Sequence, residues 1–83
     1  MTEQDWSVAA KALLKSELKR RNMKYEDLAA KLTAAGHPEN TRNLTNKIAR
    51  GAFTAGFLLE CLHVIGCTNV RLDDIAMAVE PKN

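Results

Sequence analysis

Apolar side chains recur at helical spacing through most of this chain. Trp6, Ala9, Ala10, Leu13, Leu14 and Leu18 form one stripe that predicts a first helix with its charges turned away. Asp5 or Ser7 is placed to cap it, and it runs to about Arg21, ending in Lys19, Arg20 and Arg21, where cations complement the dipole. Asn22 closes it, and Met23 plugs the following turn. A second helix opens near Tyr25, with Glu26 and Asp27 in its first turn and Leu28, Ala29 and Leu32 as its core face. Gly36, His37 and Pro38 stop it. Asn40 caps a third helix that turns Leu44 and Ile48 inward, with Thr41 partly so, and ends at Gly51. Phe53 is a buried link. Thr54 caps a fourth helix with apolar Phe57, Leu58, Leu62 and Ile65, closed by Gly66. Beyond Cys67 the pattern weakens: Val70, Leu72, Ile75, Ala76 and Val79 fit a short helix or a partly extended segment, and a helix over about 72–79 is favoured.

The sum is an all-α, single-domain bundle of four to five helices, its core spanning about 6–66, with 67–83 as a C-terminal segment. At 83 residues there is material for one modest core and no second. Nearly half the residues are apolar, enough for collapse. The formal charge of +2 says little about partners, but its distribution says more. Lys11, Lys15, Lys19, Arg20, Arg21 and Lys24 crowd the first third, while Glu60, Asp73, Asp74 and Glu80 lie towards the other end. A basic end and an acidic end suit a protein that turns one side to a polyanion. A solvated helix face would explain the lysines equally well.

The third helix carries the most specific chemistry. With Leu44 and Ile48 inward, about 100° per residue puts Arg42, Asn43, Asn46, Ala49 and Arg50 on the opposite side. With Thr45 these are short, amide-bearing or fork-shaped groups, the kind that read base edges and phosphates. Arg42 suits guanine as a bidentate donor, Asn43 or Asn46 suits adenine, and small Ala49 lets the helix sit close to a base pair. Arg50, at the helix end, suits a phosphate, as do Lys19 and Lys24. The plainer alternative is that Asn and Thr act only as caps and Arg50 only answers the helix dipole.

Three segments resemble the lambda-repressor-like helix-turn-helix domains, the Cro/C1 or XRE type: NMKYEDLAAKL entering the second helix, KIARG ending the third, and FTAGFLLECLHVIG as the fourth. The resemblance covers Leu18 to Gly66. It is closer still to an uncharacterised group of short bacterial proteins carrying KI-x-RG-x-F. It implies that the second helix crosses a DNA backbone while the third enters the major groove. Tyr25 stands where that family often has a polar backbone contact, although packing against the first helix would explain it too. The chain departs from the pattern between Leu32 and Gly51, which is longer by the stretch TAAGHPEN.

Other chemistry is not signalled. Cys61 and His63 are two apart, about 200° around a helix, so they diverge rather than converge on zinc, and the cysteines read as core or near-core residues. No phosphate-cradling glycine loop, HExxH or nucleophile elbow is present, and Glu17, Glu26 and Asp27 read as surface carboxylates. Neither an enzyme nor a cofactor is expected. MTEQDW lacks a signal-peptide pattern and no stretch is long enough to span a bilayer, which sets a cytoplasmic default with reduced cysteines.

The function expected is a small sequence-specific DNA-binding protein, a transcriptional regulator whose partner is double-stranded DNA. Few contacts per copy imply a homodimer on a pseudo-palindrome, with Leu59, Val64, Ile75 and Met77 as the self-association patch. The alternative is a protein-interaction adaptor that retains the fold without DNA contact. RNA is disfavoured because stacking aromatics are scarce.

Overall fold

The protein is described by a computed structural model covering residues 2–51 and 53–77, the last two by backbone alone. Five α-helices and no strand occur among these residues: α1 (Glu3–Arg20), α2 (Tyr25–Ala34), α3 (Thr41–Arg50), α4 (Ala55–Val64) and α5 (Leu72–Met77). The expected continuation of the last helix to Val79, acidic Glu80, and the side chains of Ala76 and Met77 lie outside the described residues.

One core joins the first four helices. Leu14 and Leu18 of α1 meet Leu28, Ala29 and Leu32 of α2, Leu44 and Ile48 of α3, and Phe57, Cys61 and Leu62 of α4, with Ile65 just beyond. Helix α2 packs against both α3 and α4, and α1 against α4 and α5. Met23, Tyr25, Phe53 and Leu58 are only half-buried and rim this core, so Phe53 is a partial plug rather than a buried link.

Helix α1 begins earlier than its sequence suggests. Thr2 is the cap: its hydroxyl accepts from the Asp5 N–H at 3.2 Å, and the Asp5 carboxylate accepts from the Thr2 N–H at 2.8 Å. This reciprocal pair satisfies two orphan donors, and hydrogen bonds from Thr2 hold the Asp5 carboxyl below its ordinary range. Asp5 therefore acts from inside the first turn, and Ser7 is an ordinary helical residue whose hydroxyl donates to the Glu3 carbonyl. Trp6 is 41% exposed rather than part of the core stripe, and Val8 is 51% exposed.

Glu17 also departs from expectation, because it is buried rather than on the surface. It lies on the inward side of α1, between the core positions Leu14 and Leu18. Its charge is met by Arg21 Nη1 at 2.6 Å and Arg20 Nη2 at 3.3 Å. The Arg21 hydrogen bond holds the carboxyl below its ordinary range against the opposing effect of burial. The turn after α1 needs a left-handed residue, and Asn22 supplies it at φ 55°.

Candidate nucleic-acid interface

Helix α3 is positioned by its ends and by two anchors. The Asn40 side chain accepts from the Asn43 N–H at 2.8 Å, and Gly51 at φ 66° takes the left-handed stop that a side chain would strain. Leu44 and Ile48 are fully buried. Thr41, Arg42, Asn43, Thr45, Asn46, Ala49 and Arg50 are all exposed, so Thr41 is not a partial core residue. Thr41 lies two turns from Ile48, at the first position of the helix.

The eight sequence-predicted contact residues do not all fall together. Asn43, Asn46 and Arg50 line a groove along α3 with Lys47 and Glu39. Arg50 also lines a second groove, between the end of α3 and α1, shared with Lys11, Lys15 and Lys19. Lys15 and Lys19 continue into a third, with Lys24 and Tyr25 at the start of α2. Arg50 and the Lys15–Lys19 pair are thus the links of a continuous band from Asn43 to Tyr25. Arg42 and Thr45 line none of these grooves. Thr45 also commits its hydroxyl proton to the Thr41 carbonyl at 2.7 Å, which leaves it only an acceptor and a methyl for any partner. Tyr25 is half-buried against the core and still edges the third groove. Lys15, Lys19, Lys24, Arg42 and Arg50 make no ion pair among the described residues.

The lengthened connection between α2 and α3 is tied down at several points. The Thr33 hydroxyl donates to the Ala29 carbonyl at 2.8 Å and accepts from the Glu39 N–H at 3.2 Å, so the end of α2 holds the start of α3. The Glu39 carboxylate is nearly fully buried and meets Lys47 Nζ at 3.0 Å and His37 Nε2 at 3.7 Å. His37 Nδ1 reaches Glu60 of α4 at 2.9 Å. Lys47 also stands over the Phe57 ring, 4.5 Å from its centroid, a cation–π contact. Lys47 is therefore spent on structure although it belongs to the basic helix. Sequence reasoning did not pick out His37, Glu39, Lys47 and Glu60 as a set. One signal was present: Lys47 adjoins Ile48 and lies one turn from Leu44, at the edge of the buried stripe.

A second tether joins α1 to the end of α3, where Lys11 Nζ donates to the Ala49 carbonyl at 2.9 Å. This cation answers a C-terminal carbonyl and the negative end of the helix dipole together. It fixes α3 against α1 beneath Gly51, where a side chain would meet the Lys11 methylenes at 3.7 Å.

Neither cysteine belongs to this band. Cys61 is buried in the core, and burial, with Glu60 nearby, pushes its thiol up to about 12, an inert hydrophobe at neutral pH. His63 is exposed, so the two point apart. Among the described residues no cluster of His, Cys, Asp and Glu is arranged to hold a metal ion, and no helix is long and apolar enough to cross a membrane.

Residues 6–70 match a family described as a domain of unknown function, DUF6471. The chain belongs to the DUF6471 family. The match runs from Trp6 in α1 through α4 and stops before α5, so every cation of the basic band lies within the DUF6471 domain. No curated protein and no solved structure matches the chain.

Proposed function

We propose that this DUF6471 protein is a small sequence-specific DNA-binding protein, a transcriptional regulator that reads the major groove with α3. The observation that carries the reading is the continuous band. Exposed amides and Arg50 on α3 run into Lys15 and Lys19 on α1, which make no ion pair among the described residues, and on to Lys24 and Tyr25 at the start of α2. A fold that resembles the repressor-type helix-turn-helix would present such a band with α3 in the groove and the lysines along the flanking phosphates. Asn43 and Asn46 in the band, with Arg42 exposed outside its grooves, are then the base-edge readers. Arg50, Lys19, Lys24 and Tyr25 hold the backbone. Thr45 contributes a methyl or an acceptor. Two copies on a pseudo-palindrome would supply the affinity one domain lacks, with exposed Leu59 and half-buried Val64 and Ile75 as the pairing surface.

The test separates readers from holders. A duplex is selected from random sequence, and binding is measured across salt concentrations for four single-alanine variants. Arg42→Ala and Asn46→Ala should each cost about 1–3 kcal/mol on the selected duplex and far less on random DNA. Lys19→Ala and Lys24→Ala should weaken both alike and lower the salt slope by about one each. If no duplex is enriched and all four variants remain folded, α3 is not a reader of DNA.

A further inference from the structure

The groove between α1 and the end of α3 has a floor that phosphate does not need. It encloses roughly 670 Å³. Exposed Val8 and half-buried Ala12, one turn apart on α1, form its floor with Gly51 and the methylenes of Lys11, whose amine is drawn away to the Ala49 carbonyl. Its cations are Lys15, Lys19 and Arg50, and no carboxylate among the described residues lines it. A nucleic-acid backbone would use the cations and leave Val8 wet. An occupant that uses both must be apolar along one line and anionic beside it.

We infer that this groove docks an acidic amphipathic helix from a partner protein, with its apolar stripe on Val8 and Ala12 and its carboxylates on Lys15, Lys19 and Arg50. The dimensions agree: the lining of α1 runs from Gln4 to Lys19, roughly 22 Å at 1.5 Å per residue, or about four helical turns. Small Ala12 and Ser16 let a second helix approach closely, and the complementary charges fix its position. The inference rests on the DNA reading in one respect. Lys19 and Arg50 are shared, so the docked helix would cover two phosphate contacts and release the duplex.

The probe is a synthetic helix of about 16 residues in an alanine background, with Leu along one face and Glu flanking it. Two control peptides replace Leu by Ser or Glu by Gln. Fluorescence anisotropy should show micromolar binding of the probe and loss of about tenfold or more with either control. Val8→Asp and the pair Lys15→Glu with Lys19→Glu should each weaken it similarly; both sites are exposed, and thermal unfolding checks that each variant folds. The probe should displace a selected duplex from the wild-type chain. Val8→Asp should abolish that displacement while leaving sequence preference intact. Three results would overturn the inference. One is failure of the probe to bind at millimolar concentration. Another is equal binding of the Leu-to-Ser control, which marks a plain polyanion surface. The third is self-association in sedimentation that Val8→Asp disrupts, which means a second copy of the chain fills the groove. Failure of the DNA reading is distinct, since it shows in Arg42→Ala and Asn46→Ala and leaves peptide binding unchanged.

Discussion

Replacing Ile48 by Ala tests the orientation of α3 directly. Ile48 is fully buried among Leu14, Leu28, Leu44 and the α4 residues, and the change removes three carbons from that cluster. At roughly 0.8 kcal/mol per buried carbon the transfer loss is about 2.4 kcal/mol, and the unfilled space brings the total into the range of about 2–5 kcal/mol. At roughly 0.05–0.15 kcal/mol per residue, a domain of this size has about 4–12 kcal/mol in all, so the loss is a large share of it. Urea unfolding followed by far-ultraviolet circular dichroism is the assay. With a slope of about 1 kcal/mol per molar, the midpoint should fall by about 2 M or more, and the variant is expected to sit near the edge of folding at 37 °C. Ala49→Ser, at the neighbouring exposed position, should move the midpoint by less than about 0.5 M. Equal midpoints for wild type and Ile48→Ala would refute the assigned phase of α3. The outward set of Arg42, Asn43, Asn46 and Arg50 would fall with it.

Glu17 makes stability depend on pH. Its folded carboxyl lies below its ordinary value of about 4.3, so its contribution is complete above that value and is lost as pH falls through the lowered one. Glu17→Gln should remove that part of the acid-side slope in thermal melts taken from pH 6 to 2, and an unchanged slope would assign it to other carboxylates. Glu39→Ala should strand Lys47 beside Phe57 and leave His37 to Glu60, destabilising the fold by about 1–3 kcal/mol. Amide exchange should rise over residues 36–43 and stay unchanged around the Thr2 cap; uniform exchange would show that the turn is not held by Glu39.

The chain announced its helices through local signals, and those signals were sound. Asn40, Gly51, Thr54 and Gly66 act at the ends where their backbone preferences put them. Leu28, Ala29, Leu32, Leu44, Ile48, Phe57 and Leu62 are buried as their spacing required. The misreadings share a cause. Trp6 is apolar and at helical phase, but whether a phased residue is covered depends on how far the neighbouring helices extend, which periodicity does not encode. Glu17 lies at a core phase and reads as surface until Arg20 and Arg21, one turn on, are seen to fold back over it. The grouping of Asn43, Asn46 and Arg50 followed from one helix wheel. Their connection to Lys15 and Lys19 needed the α1–α3 packing, and so did the structural use of Lys11 and Lys47.

The ties around α3 also bear on where adjustment must occur when this domain meets a partner. The segment leading into it is bound to α2 through Thr33 and to α4 through His37, Glu39 of that segment holds Lys47 in its second half, and its last turn is bound to α1 through Lys11. A helix pinned at both ends has little play with which to follow an irregular duplex. If α3 reads DNA as proposed, the bending, twisting or groove widening needed for a fit would fall on the DNA, and sequences whose base steps deform cheaply would be preferred even at positions no side chain touches. Selectivity in such a protein would be written partly in the stiffness of its target.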